Sequence, residues 1–98
     1  MQGKYITDIV EVSKNIIVVA SYSDCSYFKI NLETKEETLL GKGFSPYSMG
    51  LCLFPDFDYD NFPFVLAKED DWISVINVQS GFVYRLTSCS THNQNYLN

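Results

Sequence analysis

Histidine is almost missing from this chain. His92 is the only one among 98 residues, and it stands in a polar, Asn- and Ser-rich stretch. A Ser-His-Asp or Cys-His arrangement needs its base fixed by neighbours, so neither has a framework here. Basic residues are also few: Lys plus Arg number seven against twelve Asp plus Glu, a formal net charge of −5. An acidic chain repels phosphate, which argues against nucleic acid and against anionic membrane surfaces as partners. No window supplies the roughly 18–20 apolar residues that a membrane helix requires. No apolar core of a secretory signal follows Met1 to Tyr5, and Gln2 stands where myristoylation needs glycine. The expected compartment is the cytoplasm.

Cysteine is sparse and unpatterned. Cys25, Cys52 and Cys89 are odd in number and form no C-x-x-C pair. Reduced thiols are expected, and a zinc site has no support from these spacings. Gly41-Lys42-Gly43 lacks the spacing and the following helix of a phosphate loop. Carboxylates do pair in an acidic stretch, but no apolar wall that would raise one pKa can be argued. The chain is therefore expected not to be an enzyme.

What is present points to β-structure. The hydrophobic fraction is 46% and the charged fraction 19%, too apolar for intrinsic disorder. Seven Phe, seven Tyr and one Trp suit pleated surfaces. Short apolar runs recur with turn chemistry between them. Tyr5 to Val12 is broken by Ser13-Lys14-Asn15. Ile16 to Ala20 is continuous and β-branched, which fits a strand buried on both faces. After Ser23-Asp24-Cys25 comes Tyr27 to Leu32, placing Phe28, Ile30 and Leu32 on one face. Glu33-Thr34-Lys35 turns the chain into a short strand at Glu37–Leu40. A helix over residues 33–40 is the competing reading, disfavoured by Thr34 and Thr38 and by its shortness.

Gly41 to Pro46 carries two glycines and a proline and reads as a loop separating two halves. The second half repeats the order. Leu51 to Phe54 is a strand, Pro55 to Pro63 an acidic and aromatic loop, and Phe64 to Ala67 the continuous apolar run. Glu69-Asp70-Asp71 breaks that run. Trp72 to Val78 alternates, with Ile73 and Val75 opposite Trp72 and Ile76. Gln79-Ser80-Gly81 turns the chain, and Phe82 to Leu86 closes the set. Ile30-Asn31-Leu32-Glu33-Thr34-Lys35 aligns with Ile76-Asn77-Val78-Gln79-Ser80-Gly81, 46 residues later. Four strands at a period of roughly 40–50 residues indicate propeller-type repeats. The expected fold is all-β: two consecutive four-stranded antiparallel meanders, with repeats at 4–42 and 43–87 and a polar tail at 88–98.

Ile73-Ser74-Val75-Ile76-Asn77-Val78-Gln79-Ser80-Gly81 resembles the end of the third strand in a WD-repeat propeller blade. Ile-Asn takes the place of Trp-Asp. Phe28 to Lys35 resembles it less closely, because the final glycine is missing. The resemblance covers about Tyr5 to Leu86. Neither repeat has the Gly-His pair that often precedes the first strand, nor its partner Asp. What the resemblance implies is a β-propeller scaffold for protein binding. A closed propeller needs about 4–8 blades, so two are an incomplete ring. Completion by a longer reading frame is the leading expectation. Assembly with other copies and a self-contained sandwich are the alternatives.

Two stretches are candidate sites. Asp56, Asp58 and Asp60, with Asn61 after them, resemble the start of a D-x-D-x-D-G calcium loop, in which alternate carboxylates converge on a hard cation. Phe64 and Ala67 stand where further ligands would be needed. The plainer reading is a solvated hairpin loop whose aromatics cover the rim of the core. Tyr47, Asp70, Asp71 and Trp72 form the second candidate, acids beside aromatics that could hold a basic peptide on an aromatic anchor. Against it, Trp72 reads equally as a strand residue of the core.

The leading functional expectation is a non-catalytic protein-interaction scaffold, a partial propeller without a cofactor, whose partners are other proteins, further blades or its own copies. A calcium-stabilised structural or adhesion-type blade is one alternative. An accessory β-part of a larger enzyme or multi-subunit assembly is another.

Overall fold

The computed structural model describes residues 5–43, 49–53, 57–69 and 72–88. Strands β1 (Ile6–Ser13), β2 (Ile16–Ser21), β3 (Ser26–Asn31) and β4 (Glu37–Lys42) form one antiparallel sheet in sequence order. Strands β5 (Met49–Leu53), β6 (Phe64–Glu69), β7 (Trp72–Asn77) and β8 (Val83–Ser88) form a second with the same order. Each is a meander in which every strand pairs with the next. The all-β architecture read from the sequence is the one observed, and no helix occurs among the described residues. Residues 37–40, half of the competing helix reading over 33–40, are strand.

Two local readings need correction. Leu32 does not continue the face of Phe28 and Ile30, because β3 ends at Asn31 and the chain turns there. Gly41 and Lys42 belong to β4 rather than to a loop. The glycine serves close packing: a Cβ at Gly41 would lie 2.6 Å from Val83 Cγ2 and 2.8 Å from the Gly81 carbonyl oxygen of the other sheet.

The turn after the third strand is built the same way twice. The Asn31 side-chain oxygen accepts the amide N–H of Glu33 at 2.9 Å and of Thr34 at 3.1 Å. The Asn77 oxygen accepts those of Gln79 at 3.0 Å and Ser80 at 2.9 Å. The next hydroxyl repeats as well, with Thr34 accepting from the Glu36 amide and Ser80 from the Phe82 amide. Asparagine is suited to this because its short amide bonds backbone two and three residues on. The chain then enters left-handed space at Lys35 (φ 68°) and at Gly81 (φ 84°). The second repeat has the residue that this conformation favours, and the first does not.

The repetition extends to the pairing register. A bulge interrupts β3 and β4 at Tyr27/Phe28, leaving Leu40 extra, and interrupts β7 and β8 at Ile73/Ser74, leaving Leu86 extra, 46 residues on. Cross-strand rows correspond across both sheets. Val10, Val18, Lys29 and Thr38 lie side by side, as do Cys52, Leu66, Val75 and Tyr84. On the reverse faces, Ile9, Val19, Phe28 and Leu39 match Leu51, Ala67, Ser74 and Arg85.

The sheets stack with β1 over β5 and β4 against β7 and β8. Val12, Val18, Ala20, Tyr27 and Leu40 of the first sheet meet Val65, Ala67, Ile76 and Val78 of the second in a single buried cluster. Fully burying a Val, Leu or Ile side chain contributes about 1.5–3 kcal/mol, and an alanine less. We call the face with Val18 and Ala20, and its counterpart with Leu66 and Val75, the front of each sheet. The front of the first sheet packs on the back of the second. The two sheets therefore stack in the same sense, rather than front to front.

Candidate functional site

The interface between the sheets holds a polar cluster. The Tyr27 hydroxyl donates to Glu69 Oε2 at 2.6 Å, joining residues 42 apart in sequence, and the Ser74 hydroxyl approaches the same oxygen at 3.3 Å. Tyr27, Glu69 and Ser74 are all fully buried. A buried carboxylate is costly unless it is bonded, and a phenol donating to a charged acceptor is a strong partner. Burial, and then the bond to Glu69, push the Tyr27 pKa far above its ordinary value. Burial also raises the Cys25 thiol, with Glu69 adding to the effect and Lys42 opposing it. The sequence pattern Glu69-Asp70-Asp71 predicts a polar break at Glu69. It is instead the last residue of β6 and lies inside the molecule.

A second polar tie joins the first strands of the two sheets. The Leu51 amide N–H donates to Asp8 Oδ2 at 2.6 Å, while Asp8 Oδ1 accepts from the Ile9 amide at 2.9 Å.

In the acidic loop, Asp58 is a turn former. Its Oδ1 accepts the Asp60 amide at 3.1 Å and its Oδ2 accepts the Asn61 side-chain amide at 2.6 Å. Phe62 donates its amide back to the Asp58 carbonyl. The bond from Asn61, then that from the Asp60 backbone, hold the Asp58 carboxyl below its ordinary range. Phe57 and Tyr59 pack against the core, as the plainer reading of this loop expects. Asp60 is exposed, and Asp56 lies outside the described residues. Among the described residues no group of three His, Cys, Asp or Glu side chains is arranged to hold a metal ion.

Of the second candidate site, Tyr47, Asp70 and Asp71 lie outside the described residues. Trp72 is half-buried at the start of β7, with the Arg85 guanidinium 4.0 Å above its ring. That stacking is a cation–π contact.

The outer faces of the stack carry apolar surface that the sequence pattern did not single out. On the front of the second sheet, β8 exposes Tyr84 at 45% and Leu86 at 61%, beside Phe82 at 61%. Phe82 and Tyr84 stack with ring centroids 4.7 Å apart. The same sheet carries an open groove of about 320 Å³, lined among others by Gly50, Cys52, Leu66, Lys68 and Ile73. On the back of the first sheet, Ile9 is 54% and Leu39 53% exposed. Val19 between them is buried. Large exposed apolar patches mark interaction sites, whereas single exposed residues do not.

Cys25 and Cys52 are free thiols. No helix among the described residues is long and apolar enough to cross a membrane. The chain matches no protein-family model, and neither a curated protein nor a solved structure is significantly similar to it.

Proposed function

We propose that the chain is a non-catalytic protein-interaction scaffold of the cytoplasm, built as a partial propeller of WD-repeat-like blades. The observation that carries this reading is the apolar front of the second sheet. On that face Phe82, Tyr84 and Leu86 are exposed on and beside β8, and a groove lined by Leu66 and Ile73 opens over β5 to β7. Exposed aromatic side chains and an apolar concavity on one face are what a protein partner covers and desolvates. The recurrence of the asparagine turn and of the bulge supports the propeller-type repeat, since both devices return at the same spacing. Such repeats bury their faces only against neighbours, so an outer sheet is a natural binding surface.

The test is affinity capture from the native extract with the wild-type chain and with a Tyr84→Glu variant of unchanged circular dichroism. Proteins held by the wild type and lost by the variant fit the scaffold reading. Identical capture by both, or none by the wild type, contradicts it.

A further inference from the structure

Resting on the scaffold reading, we infer that the partner for these outer faces is a second copy of this chain, stacked head to tail. The interface inside the molecule is the template. There a front face, with Val18, Ala20 and Leu40, lies on a back face, with Leu51, Ala67 and Ile76. Each molecule has one more face of each kind, in matching register. The second sheet's front sets Leu66, Ile73 and Leu86 where the first sheet has Val18, Tyr27 and Leu40. The first sheet's back sets Ile9, Val19 and Ile30 where the second has Leu51, Ala67 and Ile76.

The same residue type makes the clearest case. Leu40 and Leu86 occupy the same bulge position, yet Leu40 is 6% exposed under the second sheet while Leu86 is 61% exposed. Ile9 is likewise 54% exposed at the position of Leu51, which packs against the core. A front laid on a back in this way buries Leu86 and Ile9 together. The intermolecular junction differs from the internal one in its polar centre. Ile73 replaces Tyr27 and Ser21 replaces Glu69, so no carboxylate has to be buried. In the middle of the back face Val19 is already 2% exposed, so the apolar surface left to cover is Ile9 on β1 and Leu39 on β4, strands that also carry Glu11 and Glu37. Because the two surfaces differ, the contact is heterologous, and repetition yields a ring or an open stack rather than an isolated two-fold dimer.

Sedimentation velocity on the 98-residue chain, from low micromolar to millimolar concentration, reads the mass directly. The wild type is expected to rise above its monomer mass of 11.2 kDa with concentration. Leu86→Glu blocks the front and Ile9→Glu blocks the back, so each alone stays monomeric. Mixed in equal amounts, they have one intact front and one intact back between them and form a heterodimer at twice the monomer mass. Tyr84→Glu and Leu39→Glu replace either variant whose circular dichroism departs from wild type. A wild type that stays monomeric throughout, single variants that still self-associate, or a mixture that remains monomeric overturns the inference. A monomeric wild type that still captures other proteins through Tyr84 removes the self-partner while leaving the scaffold reading intact.

Discussion

The Tyr27 hydroxyl and the Glu69 carboxylate meet at 2.6 Å across the interface between the two sheets, both fully buried. This bond fixes which faces touch, since only the first sheet's front and the second sheet's back can supply it. Removing the donor leaves a buried charge with one fewer partner. Tyr27→Phe is expected to cost about 1.5–3 kcal/mol, the range for a hydrogen bond to a charged group. Urea unfolding measures it, and a loss under about 0.5 kcal/mol contradicts the assignment.

The same phenol gives a pH dependence. Burial and the bond to Glu69 raise its pKa in the folded state. The unfolded chain releases this proton above about pH 10, while the folded chain retains it. The contribution is therefore fully present below about pH 10 and is lost as pH rises further, by about 1.4 kcal/mol per pH unit for one proton. Alkaline unfolding should be steeper by that increment in wild type than in Tyr27→Phe. Equal slopes contradict it.

Lys35 and Gly81 occupy the same left-handed turn position, at φ 68° and 84°. A non-glycine residue there costs roughly 1–2 kcal/mol, partly offset by the roughly 0.4–1 kcal/mol entropy that glycine returns to the unfolded chain. Lys35→Gly should stabilise the protein by up to about 1 kcal/mol. Gly81→Ala should destabilise it, and by more, because its Cβ would lie 2.6 Å from the Leu40 carbonyl oxygen. Thermal melts compare the two, and a destabilising Lys35→Gly contradicts the equivalence of the turns.

Much of this was legible from the residues because local chemistry set it. Asn31 and Asn77 announce their turns, and continuous runs such as Ile16–Ala20 announce strands buried on both sides. Glu69 was not legible. An acid at a strand end looks like a solvated turn until Tyr27, 42 residues earlier in the chain, is known to lie against it. Leu40 and Leu86 are the same residue in the same local frame, so no local signal separates the buried one from the exposed one. Only the sense in which the sheets stack decides it. Trp72 read as a candidate anchor, but its ring lies under Arg85 from the adjoining strand, a contact made through the register of β7 and β8.

Asp58 provides a local check on the acidic loop. Its bonds from Asn61 and from the Asp60 amide hold its pKa below the ordinary value of about 3.9. The support it gives the loop is present above that value and is lost as pH falls through its own lower pKa. A carboxyl-detected NMR titration should find Asp58 depressed, with Asn61→Ala returning it toward normal. A value at or above about 3.9 in the wild type contradicts the turn geometry.

The central claim is that both sheets stack in the same sense, the front of the first on the back of the second. Methyl-resolved nuclear Overhauser spectroscopy on dilute protein tests it most directly. Contacts are expected from Val18 and Ala20 to Val65, Ala67 and Ile76. Contacts from Val18 and Ala20 to Leu66 and Val75 instead would mean front-to-front packing and would contradict the account.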